Sequence, residues 1–96
     1  MKANLSVVVF VQVRTKQHSD EWTKKFKKAI TEMDEVIELY RLSGTVDYMF
    51  KVLVPSIDKY NLFYEKLTQK IDFFEVTSSF AMEEIKQTSI LPLKYI

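Results

Sequence analysis

The stretch Val36-Ile37-Glu38-Leu39-Tyr40-Arg41-Leu42-Ser43-Gly44-Thr45-Val46-Asp47-Tyr48-Met49-Phe50-Lys51-Val52-Leu53-Val54 carries the reading on which the fold turns. Val36 to Leu42 mixes β-branched and aromatic residues, Ser43 to Asp47 has the chemistry of a turn, and Tyr48 to Val54 returns with the same strand character. This is a β-hairpin, and Pro55 ends it. Towards the C-terminus, Ser56 is a good N-cap, and Ile57, Tyr60, Phe63, Tyr64, Leu67 and Ile71 recur on one face of a second helix that Asp72 closes. Phe73 to Ile85 then reads as a last long strand. Ser89-Ile90-Leu91-Pro92-Leu93 reads as a short extra edge piece, because Pro92 cannot donate to a ladder. Towards the N-terminus, Leu5 to Val13 is dense in valine and forms a first strand. Between it and the hairpin, Ser19 caps a first helix with Asp20 and Glu21 in its opening turn. Trp22, Phe26, Ile30 and Met33 line that helix, which runs to about Met33.

Strand, helix, strand, strand, helix, strand is the ferredoxin-like βαββαβ order of an α+β domain, with a four-stranded antiparallel sheet and both helices on one face. The other face has no helix to cover it, and alternation would make it polar. Instead the first strand offers Leu5, Val7, Val9, Val11 and Val13 on one side and Val8 and Phe10 on the other. The strand after the hairpin loop has Tyr48, Phe50, Val52 and Val54 against Met49 and Leu53. Burying roughly 400 Å² of the second face, at about 25 cal/mol per Å², stabilises by on the order of 10 kcal/mol before association costs. A face-to-face homodimer, a dimeric α/β barrel-type assembly, is therefore expected.

The chain has 96 residues, 47% of them apolar, which suits one domain over residues 1–96 with one core. One glycine and two prolines leave no room for a linker. With 14 basic and 13 acidic residues the net charge is +1, so no long-range field steers nucleic acid, and direct nucleic-acid binding is not expected. The absence of cysteine removes disulfide scaffolds, thiolate zinc sites, iron–sulfur clusters and cysteine nucleophiles. His18 is the only histidine, so no metal site is expected. Val7 to Val11 is far shorter than the roughly 20 apolar residues of a spanning helix, so no membrane partner is expected. Met1-Lys2-Ala3-Asn4 lacks the features of a signal peptide, which makes a cytoplasmic protein the expectation. No nucleophile elbow, phosphate loop or cofactor fingerprint is present, so neither catalytic residues nor a cofactor are assigned.

Three segments carry a resemblance to a known family. The hairpin from Val36 to Tyr48 is similar to the strand, glycine turn and Asp-Tyr return of the effector-binding (RAM) domain of the leucine-responsive regulatory protein/AsnC (Lrp/AsnC) family. Val52-Leu53-Val54-Pro55 fits the same pattern. Met82-Glu83-Glu84-Ile85-Lys86-Gln87-Thr88 with Leu91-Pro92-Leu93 looks like its closing strand and Leu-Pro-Leu signature. Together they span residues 5 to 93, and no segment here replaces the family's DNA-reading helix-turn-helix, so a stand-alone form of the domain is expected. The resemblance implies dimers that assemble into tetramers or octamers, with a small effector, often an amino acid, held between dimers. It implies contacts from the loop Leu42, Ser43, Gly44, Thr45 and Asp47 and, from a neighbouring dimer, from the positions of Val76 and Ser78. The family commonly has a hydroxyl where Val76 stands, and its loss implies a weaker or more apolar ligand.

Each of these residues also has a plainer reading. Gly44 supplies positive φ to the turn, a role compatible with backbone N–H groups that hold a carboxylate. Asp47 either hydrogen-bonds turn backbone or accepts from an ammonium. Ser78 points to one face of its strand and Thr77 and Ser79 to the other, as solvent-facing hydroxyls or as ligand contacts. Lys24, Lys25, Lys27 and Lys28 form a solvated helix stripe, and His18 is a surface histidine. Glu83 and Glu84, adjacent on a strand, face opposite ways and make no acid–base dyad. The expected function is a non-enzymatic effector-binding and oligomerisation module linked to transcriptional regulation, acting alone or by co-assembly with full-length Lrp/AsnC regulators. A cofactor-independent dimeric enzyme, an oxygenase or isomerase with its cavity under the sheet, is the alternative that fold alone leaves open. A cut-out of a longer regulator is a third reading, against which the initiating Met1 and the absence of a linker argue only mildly.

Overall fold

The computed structural model describes residues 7–95. Strands β1 (Val7–Arg14), β2 (Val36–Arg41), β3 (Tyr48–Val54) and β4 (Glu75–Phe80) and helices α1 (Asp20–Thr31) and α2 (Ile57–Lys70) follow one another in the expected βαββαβ order. Leu5, expected in the first strand, lies outside the described residues. The sheet order is β2-β3-β1-β4, and every neighbouring pair is antiparallel.

Register decides which side chains meet the helices. Val9, Val11 and Val13 stand opposite Val52, Phe50 and Tyr48 on β3, and opposite Phe80, Ser78 and Val76 on β4. Directly opposed residues share a face, so these three rows form one surface. Trp22, Phe26 and Ile30 of α1 and Tyr60, Phe63 and Leu67 of α2 pack onto it in a single buried core. The aromatic residues settle the N-terminal end of that core: Trp22 stacks on Phe26 at 5.1 Å, and Phe26 meets Tyr48 at 4.6 Å. Both helices open on the expected serine caps, with Ser19 accepting from the Trp22 N–H and Ser56 from the Lys59 N–H.

The reverse face holds Val8, Phe10, Met49 and Leu53, none of them fully buried, and among the described residues no helix covers it. Tyr40 joins this face opposite Met49, while an irregularity between Val36 and Glu38 turns Ile37 outward.

The last strand is shorter than the expected Phe73 to Ile85. It begins at Glu75 and stops at Phe80, and Ala81 makes its final ladder contact by donating to the Val8 carbonyl at 2.9 Å. Beyond Ala81 the segment through Ile85 forms no strand, and Met82 and Ile85 are exposed. Ser89 to Leu93 likewise forms no edge strand, and Leu93–Tyr95 is a single 3-10 turn.

Candidate ligand site

The hairpin loop is tied down at both ends of its polar segment. The Leu42 N–H donates to the Asp47 carbonyl at 2.9 Å, and the Asp47 N–H donates to the Val13 carbonyl at 3.0 Å. The Asp47 carboxylate accepts the Thr15 N–H at 2.8 Å through Oδ2, which anchors the loop to the end of β1. The turn-anchoring role of Asp47 is therefore real, and its second oxygen still has lone pairs to offer. Gly44 has φ of 118°, the left-handed region that favours glycine, although a side chain there would meet nothing within 4 Å. Ser43, Gly44 and Thr45 are exposed at the tip, and Leu42 is partly so.

Between the base of this loop and α1 lies a cleft of about 330 Å³. Its walls include Asp20 and Asp47, together with Lys27, Arg41 and His18. Both charge signs thus converge beside the loop. Lys27, expected only as part of a solvated stripe, and His18, expected as a plain surface residue, are walls of this cleft.

On β4, Val76 and Ser78 point to the helix-covered face, and Thr77 and Ser79 to the open one. Ser78 does not stand free. Its hydroxyl is hydrogen-bonded to the Tyr60 phenol under α2, and Phe80 meets the Tyr60 ring edge-on at 5.4 Å. Burial pushes the Tyr60 phenol above its ordinary pKa of 10.0, and the bond to Ser78 pulls it partly back. Helical spacing places Tyr60 on the core-facing side of α2 and says nothing of its phenol. A buried phenol requires a partner, and that requirement was the available signal. Val76 borders a separate groove of about 290 Å³ at the end of α2, with Tyr64, Thr68, Ile71 and Phe73 among its walls.

The loop and the β4 positions do not meet within one chain. Val13 has Tyr48 on one side and Val76 on the other, so the two sets are separated by two strand spacings, roughly 10 Å. Glu83 and Glu84 are exposed beyond the last strand, so the expectation that they sit on a strand does not hold. Among the described residues no group of three or more His, Asp or Glu is placed to hold a metal ion, and no helix is long and apolar enough to cross a membrane.

Comparison with known proteins places this geometry. Residues 8–91 match the family of the Lrp/AsnC ligand binding domain. The glutamate uptake regulatory protein of Zymomonas mobilis is 42% identical over 92 residues, covering 96% of this chain and 56% of that protein. The DNA-binding transcriptional activator DecR of Escherichia coli is 40% identical over 94 residues, covering 97% and 62%. An AsnC family transcriptional regulator from Agrobacterium tumefaciens superposes with a TM-score of 0.89 at 49% identity, over 97% of this chain and 61% of that one. A transcriptional regulator from Neisseria meningitidis, solved as a complex with L-Met, superposes at 0.86 with 25% identity, over 96% and 60%. The chain spans little more than half the length of these relatives, and the part it spans is their ligand-binding half: it belongs to the Lrp/AsnC ligand-binding domain family.

Proposed function

We propose that this chain is an effector-binding and self-assembling module of transcriptional regulation, which holds an amino acid between the hairpin loop of one dimer and β4 of a neighbouring dimer. The observation that carries this reading is the division of the site. The loop side gathers Asp47 and Asp20 with Lys27 and Arg41, the two charge signs that a zwitterion needs. The Val76 side lies two strands away in the same chain, so only another copy completes the pocket. The exposed Ser43-Gly44-Thr45 backbone adds N–H donors for a carboxylate, and the complex of the Neisseria regulator with L-Met supports the ligand class. The uncovered sheet face supplies the dimer surface, and co-assembly with full-length regulators in the cytoplasm is the route by which such a module acts on transcription.

The test is a thermal-shift screen of the chain against the amino acids. A ligand that binds the folded state at 100 times its Kd adds about 2.7 kcal/mol of stability. Asp47→Asn removes a charge-assisted contact worth roughly 1.5 to 3 kcal/mol, so affinity should fall by about tenfold to a hundredfold, read by titration on protein that retains its assembly. No response to any amino acid, or unchanged affinity in Asp47→Asn, would place the function elsewhere.

A further inference from the structure

Residues 81–95 leave the fold as an arm in which every residue is exposed, while the core and the side chains packed against it end at Phe80. The composition of the arm does not suit water. Met82, Ile85, Ile90, Leu91, Leu93 and Tyr95 are each at least 65% exposed. At on the order of 100 Å² of apolar surface apiece, they match or exceed the patch that a monomer ordinarily leaves bare. The backbone is equally unmatched. Among the described residues, the backbone of residues 82–92 bonds only within the arm: the Ile90 N–H donates to the Thr88 hydroxyl, and the Pro92 carbonyl accepts from the Tyr95 N–H. An extended segment with free N–H and C=O groups is a strand that lacks its neighbour.

The far border of the sheet is incomplete in the same two ways. β2 ends the order β2-β3-β1-β4, so one side of its backbone has no strand to pair with among the described residues. Ile37 and Tyr40 on β2, and Leu42 just past its end, are exposed. The arm does not serve this border in its own chain. It departs from the β1–β4 side, where the Ala81 N–H still bonds Val8, and β2 lies three strand spacings from β4, roughly 14 Å. Nor does it settle on the sheet it leaves. A cavity of about 370 Å³ lies between Glu83, Ile85 and Gln87 of the arm and Val8, Phe10 and Lys51 of the sheet, so the reverse face stays open to a second copy.

We infer that two copies of this chain exchange arms: residues 82–92 of each run along β2 of the other as an added strand, and their apolar side chains cover Ile37, Tyr40 and Leu42 there. Extended at about 3.3 Å per residue, the arm outruns the six residues of β2. A two-fold axis returns the same contact to the first copy, so both free borders close at once. The inference rests on the pairing of reverse faces proposed above and adds the element that fastens it. Two arms, with the surface that each covers, carry the pair past the roughly 1,600 Å² of a stable interface.

Hydrogen exchange of the intact chain, read by peptide mass alongside sedimentation, tests the exchange. An arm without partners exchanges its amides at the rate of unfolded chain, whereas in the pair the amides of residues 83–91 should be slowed about a hundredfold or more. That protection should disappear on dilution into the monomer range. Ile85→Glu combined with Leu91→Glu alters two exposed side chains, so circular dichroism should not change. The double variant should release the arm amides, speed exchange in β2 and weaken the dimer at least tenfold. Ile37→Glu, on β2, should release the arm amides from the other side of the contact. A dimer whose arm exchanges freely, or whose affinity ignores both variants, would overturn the exchange and leave the pairing of reverse faces standing. Arm protection that persists in the monomer would put the arm on its own chain and overturn the inference. A folded monomer at every concentration would remove the pairing of faces, and this inference with it.

Discussion

Tyr60 is the residue at which chemistry and packing are most tightly joined. Its ring packs with Phe63 and Phe80, while its phenol reaches across to Ser78. Because burial raises its pKa above 10.0, the folded state favours the neutral phenol. The sign follows from linkage. Below pH 10 both folded and unfolded states are protonated and the contribution is fully present; as pH climbs through the folded pKa, the unfolded chain ionises first and stability is lost. Tyr60→Phe keeps the ring and drops the hydroxyl, which should cost about 1 kcal/mol near neutrality. The gap between wild type and Tyr60→Phe should then narrow at pH 11, because only the wild type carries this buried proton. Urea denaturation at pH 8 and pH 11 measures it, and a gap that stays constant would show that burial does not hold the phenol neutral. The pairing was half legible in sequence, since a phenol at a core-facing helical position demands a partner, but which β4 hydroxyl answers it depends on register. The Asp47 bond to Thr15 was not legible at all, because it joins residues 32 positions apart through the antiparallel pairing of β1 with β3.

Among the elements, the hairpin was the most readable. Alternating residues of β3 are buried without exception from Tyr48 to Val54, and the loop's single glycine sits at positive φ. Gly44→Ala forces an L side chain into that conformation and should destabilise the fold by about 1–3 kcal/mol although there is space for the methyl group. Chemical denaturation at neutral pH reads this directly; a change below a few tenths of a kcal/mol would mean that the loop relaxes freely. The last strand was the element read least well. Apolar and aromatic content records that a segment suits a strand and not that a neighbour exists to pair with it. Met82 and Ile85, apolar residues that prolong the strand reading, are 99% and 88% exposed beyond its end at Phe80.

For the molecule as a whole, the two faces of the sheet differ in how completely they are satisfied. The covered face has Val9, Val11, Phe50 and Val52 at zero exposure, whereas Val8, Phe10, Met49 and Leu53 on the reverse are only part-buried. Val8→Asp places a carboxylate opposite Leu53 on that reverse face and leaves the helix-covered core untouched. If a second copy covers the face, each charge is buried unpaired at a cost of about 3–5 kcal/mol, which weakens the dimer by more than about a hundredfold. Sedimentation equilibrium at micromolar concentration should shift from dimers or larger species towards monomer. A wild type that sediments as a folded monomer near 11.4 kDa would contradict the face-to-face arrangement.

Val76 stands on a strand at the border of the sheet, half-buried, with its side chain beside a groove and outside the densest packing. Edge positions of this kind tolerate exchange, because few neighbours must shift when the side chain changes. The same position is a wall of the groove. Packing and groove wall are thereby assigned to different residues: Val11 and Val13, in the next strand, carry the packing, and Val76 borders the groove. A lineage built on this frame can therefore reshape the wall of that groove by single substitutions at this position with little loss of stability, and so vary its surface while the core stays fixed.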